Sequence, residues 1–230
     1  MTSTAKPPPQ ILAPRSAAVA GVIFSVLMIV AMGIVRSAVP ADLKQPDIWL
    51  TDPDRRAAVQ LALYVVPFAG IAFMWFMGVL RDRLGELEDR FFATVFLGSG
   101  LLFVACLFGA AAMSGALIEV AAAGNLRSPD SATLYFGRRA TDALLNVFAM
   151  KMAGVFMIST CTIGLRSSIF PRWIAYAGYA CALTLLLVIG NWKWIALVFP
   201  LWMLLLSMQI LFMQFGSRFA GEGVVRQPQP

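Results

Sequence analysis

ALLNVFAMKMAGVFMISTCTIGL, residues Ala143 to Leu165, sets the fold class. Apart from Lys151 and Asn146 it is apolar or weakly polar, and at 1.5 Å per residue it makes roughly 34 Å of helix. A bilayer core of about 30 Å needs about 20 such residues. An ionised side chain inside that depth costs about 2.5–3.5 kcal/mol on insertion scales. A lysine in such a place faces protein or water and has a partner. The stretch therefore reads as a membrane helix with a buried cation.

The rest of the chain has the same character. Hydrophobic residues make up 60% and charged residues 13%, on the membrane side of the usual soluble balance. The mean hydropathy is +0.78. Working outward, apolar runs occupy 17–35, 57–80, 91–117, 173–190 and 194–215. With the run around Lys151 they give six spans. The expected fold is all-α, a polytopic transmembrane bundle of six helices. Its expected boundaries are a disordered tail over 1–16, the six-helix domain over 17–215 and a second disordered tail over 216–230.

Connections carry recognisable signals. Asp52-Pro53 has the form of an N-cap followed by proline in the first turn. Arg81 to Arg90, RDRLGELEDR, is a charged hairpin whose signs nearly cancel. Ser128-Pro129 suits the start of a short helix carrying Leu134, Tyr135 and Phe136. Pro67 predicts a kink or a wider helix gap in the second span. The third span, rich in small residues, carries Ala105/Gly109 and Ala111/Gly115 at a spacing that permits close backbone contact. It is expected to be the central packing helix, to tilt or project past the membrane, and to form the polar centre with the fourth span.

Composition excludes much chemistry. Histidine is absent, which removes Ser-His-Asp hydrolysis, the H-E-x-x-H zinc site and the usual haem ligand. The cysteines Cys106, Cys161 and Cys181 all lie in apolar runs without a C-x-x-C, so they are expected to pack as small thiols. The net charge of +6 is spread over short loops, which suits anionic lipid rather than nucleic acid. No residue is assigned as catalytic, cofactor-binding or metal-ligating, and the chain is expected not to be an enzyme.

The candidate polar site consists of Lys151, Glu119, Asn146, Asp142 and Gln209. Asp142 and Asn146, four apart, share a helix face. Asp142 and Lys151, nine apart, lie on opposite faces. Glu119 on the neighbouring span is the expected partner of Lys151, reached by the lysine's long stem. Gln209 is expected to bond across helices. Ser99, Ser114, Ser159, Thr160 and Thr162 are expected to return their hydrogen bonds to their own helices. For Lys151, fixing helix register competes with contacting a substrate or ion. A Schiff-base role does not suit a lysine on the fourth of six spans.

Ile169-Phe-Pro-Arg-Trp-Ile-Ala-Tyr-Ala-Gly178 resembles a turn of a family of bacterial six-helix membrane proteins, and Phe199-Pro-Leu-Trp202 is similar to their closing helix. The resemblance implies a bacterial inner-membrane location and six helices, and brings no activity with it. Six spans put both termini on one side. Lys and Arg divide almost evenly between the sides. The short basic turns at Arg81–Arg90 and Arg166–Arg172 favour cytoplasmic termini. The expected function is a non-enzymatic membrane component in contact with lipid, assembling with itself or with other subunits. A small carrier with a polar site at Lys151 is the alternative, and an intramembrane enzyme is the remote one.

Overall fold

The computed structural model describes residues 13–39, 50, 52–84, 90–122, 131–167, 171–187 and 194–222. Most of the N-terminal tail, the end of the chain, the tip of the charged hairpin, the Ser128-Pro129 cap and the reversal before Trp194 lie outside them.

The elements are α1 (Ala13–Ala38), α2 (Pro53–Leu84), α3 (Arg90–Ala122), α4 (Ser131–Asp142), a π-helical segment (Ala143–Ala149), α5 (Met150–Ser167), α6 (Arg172–Leu187), a 3-10 turn (Ile195–Leu197) and α7 (Val198–Glu222). The first helix begins ahead of the expected 17, and the last continues past 215. Because α4, the π segment and α5 follow without a break, the described residues form an all-α bundle of six rods. Five are long and apolar enough to cross a membrane, and α6 is a shorter apolar helix.

Local chemistry sets the ends. The Asp52 carboxylate accepts from the Asp54 N–H at 3.0 Å and pairs with Arg55 at 3.1 Å, so Asp52-Pro53 starts α2 as the sequence predicts. Pro200 falls in the first turn of α7, where a missing N–H removes no helical bond. The serines and threonines of the spans bond back one turn, as from Ser99 to Val95 O at 2.6 Å and from Thr160 to Phe156 O at 2.8 Å. Such bonds satisfy hydroxyls where no water is present.

The rods close into a ring. α1 packs on α2, α2 on α3, α3 on α5, α5 on α6, α6 on α7, and α7 returns to α1. Within it lies a cluster of phenylalanines, one each from α1 (Phe24), α2 (Phe73), α3 (Phe103), α5 (Phe156) and α7 (Phe199), all buried. Phe73 is the hub, with ring centroids 4.8 Å from Phe24, 5.3 Å from Phe103, 5.0 Å from Phe156 and 5.7 Å from Phe199. Tilted and edge-on pairs of this kind are worth about 0.5–1.5 kcal/mol each beyond their burial. The centre is thus aromatic, which corrects the expectation of a polar centre between the third and fourth spans. Polar groups there would need partners that five converging apolar helices do not supply.

The close helix contacts also differ from the expected small-residue pairs. A methyl group on Gly21, Gly100 or Gly178 would collide with Ser207, Met77 or Cys161 respectively, whereas one on Gly115 would meet nothing within 4 Å and one on Gly109 only Leu144 at 3.6 Å. Spacing alone marks a helix face that permits close approach, without fixing which neighbour arrives there.

The outer surface is apolar in helical stripes. Val19, Ile23, Val26 and Val30 follow one face of α1, Tyr64, Phe68, Ile71 and Trp75 one face of α2, and Leu201, Leu205, Met208 and Phe212 one face of α7, all exposed. Water does not tolerate stripes of this size, and lipid does. The chain is a multi-pass membrane protein whose outer face contacts the bilayer. α3 and α4 extend the bundle at the end away from the chain termini. There Ala38, Leu50, Val59, Leu117, Ile118 and Leu134 form a second small core, so α3 projects as its length predicts.

Candidate functional site

Lys151 lies one residue into α5, with Gly154 one turn further along the same face. A side chain at Gly154 would press on Leu186 and on Ala182 O at 3.2 Å. With none, α6 lies directly against α5, and its last carbonyls come within reach of Lys151. The Lys151 ammonium donates to Leu185 O at 3.1 Å and to Leu186 O. The last four carbonyls of a helix have no partner within it, and they carry the negative end of its dipole. A cation at that point satisfies acceptors and opposes the dipole together. Lys151 therefore caps α6.

Glu119 was the expected partner of Lys151, and the structure corrects this. Glu119 is exposed near the end of α3, and no ion pair joins it to Lys151 among the described residues. It sits on the rim of a groove of about 370 Å³ between α2 and α3, with Gln60 opposite and Pro67, Phe108, Ala111 and Gly115 along the floor. The antiparallel run of α2 and α3 brings Gln60 and Glu119 to the same end.

Asp142 and Asn146 do meet, the Asn146 amide donating to the Asp142 carboxylate at 3.5 Å, a long bond. The π-helical segment that carries Asn146 begins directly after Asp142. Asp142 also acts electrostatically on Arg36 at the end of α1. Asp142 and Asn146 thus form a polar pair near the end away from the termini, with the Arg36 charge in electrostatic range, separate from Lys151.

Gln209 is half-buried on α7 and makes no hydrogen bond among the described residues. Among the described residues a bond between two side chains does cross between helices, joining Thr162 Oγ1 of α5 and the Tyr179 hydroxyl of α6 at 2.8 Å. Among the described residues, the buried polar atoms without a hydrogen-bond partner on α7 are Trp202 Nε1 and Ser207 Oγ. The five sequence candidates therefore resolve into a helix cap (Lys151), a groove rim (Glu119), a polar pair (Asp142 and Asn146) and an isolated amide (Gln209).

Among the described residues no three metal-ligating side chains gather. Sequence reasoning missed Gln60 and the groove it borders. The available signal was Pro67 in α2 facing the small residues of α3. Compared with family models, with curated proteins and with solved structures, the chain matches none.

Proposed function

We propose that this chain is a non-enzymatic component of a bacterial inner membrane, with both termini cytoplasmic, that assembles with itself or with other membrane subunits. The observation that carries this reading is the aromatic cluster around Phe73. Five helices spend their inward faces on one another's phenylalanines, which supports a scaffold rather than a conduit. The bonding of Lys151 to the end of α6 supports it too, because the most conspicuous half-buried charge then serves the fold. The test is co-purification. Released in mild detergent, the chain is expected to bring a second copy or another polypeptide in fixed ratio. Recovery as a lone monomer at every detergent strength tried would count against it.

The π-helical segment favours a second reading, a small carrier, because such segments are frequent at functional sites. Its polar site would then be Asp142, Asn146 and Arg36 rather than Lys151. A solute that raises thermal stability in the parent chain but not in Asn146→Ala would favour the carrier over the scaffold.

A further inference from the structure

The groove between α2 and α3 is apolar along its floor and polar at one end. The difference in height matches the membrane. Counting from Arg81 and Phe91, where the two spans begin at the terminal side, Pro67 and Phe108 stand roughly 21–26 Å up their helices. Gln60 and Glu119 stand roughly 32–42 Å up. A hydrocarbon core of about 30 Å therefore takes in the lower floor and leaves the Gln60–Glu119 end among headgroups. The groove opens to the lipid side, where Tyr64 and Phe68 are 75% and 65% exposed.

We infer that this groove holds one phospholipid with a primary-amine headgroup, of the phosphatidylethanolamine class, from the leaflet on the side away from the termini. An acyl chain lies along Pro67 and Phe108, and the ammonium reaches the Glu119 carboxylate beside the Gln60 amide. The volume of about 370 Å³ accommodates part of one acyl chain, and the rest of the lipid stays in the bilayer beside Tyr64 and Phe68. Charge selects the headgroup. Glu119 is the groove's one charged residue, and among the described residues no cation pairs with it. A carboxylate there attracts an ammonium and repels a headgroup whose only charge is phosphate. The missing side chain at Gly115 keeps the floor open. This inference goes beyond the proposed scaffold role and stands whether or not the chain assembles.

The test uses the full chain reconstituted in nanodiscs of equal parts phosphatidylethanolamine and phosphatidylglycerol, re-extracted in mild detergent. The lipid retained per chain is counted by mass spectrometry. Phosphatidylethanolamine is expected to remain at about one molecule per chain, as few such sites occur per protein. Gly115→Leu is expected to lower its retention roughly tenfold, equivalent to about 1.4 kcal/mol. Ala112→Leu, on the same floor, repeats the block should Gly115→Leu fail to fold. Gly33→Leu, on α1 with open space around it, should retain lipid as the parent does. Glu119→Gln should bring retention of the two lipids level. Retention unchanged by both floor variants would overturn the inference, as would no retained lipid, a preference for phosphatidylglycerol, or a preference that survives Glu119→Gln. A second polypeptide held by the parent and lost in Gly115→Leu would also overturn it, assigning the groove to a helix.

Discussion

Lys151 on α5 and Leu185 on α6 are joined by a hydrogen bond of 3.1 Å from the ammonium to the backbone carbonyl. A charge that looks anomalous along its own helix is thus the terminator of another. Hydrogen bonds to charged groups contribute about 1.5–3 kcal/mol. Lys151→Met is therefore expected to destabilise the bundle by about 1–3 kcal/mol and to speed amide exchange at the end of α6. Lys151→Arg should recover most of the loss, because the carbonyls need a cation with donors. Exchange at Leu185–Leu187 that did not change in Lys151→Met would show that the cap is idle.

Phe73 is the hub of the aromatic cluster, and Phe68, five residues earlier on α2, is 65% exposed. Truncating a buried phenylalanine costs about 3–5 kcal/mol in well-packed cores. In a membrane the loss is one of packing rather than of water exclusion. Phe73→Ala is expected to lower the thermal midpoint in detergent sharply, and Phe68→Ala to leave it nearly unchanged. Equal effects would mean that the centre is not packed as described.

Gly178 lets α6 approach both α5 and α7. A methyl group there would meet Cys161 Sγ and would lie 2.7 Å from Trp202 Nε1. Gly178→Leu should cost about 1–3 kcal/mol through overpacking. Gly98→Leu, where nothing lies within 4 Å, should stay within about 0.5 kcal/mol of the parent. Chemical denaturation of the two variants side by side separates close packing from the general effect of a bulky residue.

Tyr179→Phe removes the hydrogen bond between the Thr162 and Tyr179 side chains of α5 and α6 and leaves the ring. Thr162 keeps its own bond to Ile158 O at 2.8 Å, so no hydroxyl is orphaned. Cross-helix bonds in membranes average about 0.6 kcal/mol, and the expected loss is of that size. A loss several times larger would indicate that Tyr179 anchors α6 in a way its geometry does not suggest.

Six apolar runs, the start of α2 at Asp52, the helix carrying Leu134 and the Asp142–Asn146 pair were legible because each depends on residues close in the chain. Lys151 was legible as a charge in need of a partner, but its partner was not. Backbone carbonyls at a helix end have no side-chain signature, so Glu119, the acid on the neighbouring span, drew the assignment. The aromatic centre was hidden for a related reason. Each of the five helices gives it a single phenylalanine, and nothing in one helix marks Phe73 as inward and Phe68 as outward. Small-residue spacing pointed to Gly109 and Gly115, where a methyl group would find room, and passed over Gly154, where it would not.

The proposed role requires this aromatic-centred bundle to assemble with itself or with other subunits. Native mass spectrometry of the full chain released from mild detergent reads that assembly out. The account predicts a species at a multiple of 25.0 kDa, or one carrying another polypeptide. A monomer throughout, stabilised by a polar solute and deaf to that solute in Asn146→Ala, would contradict it.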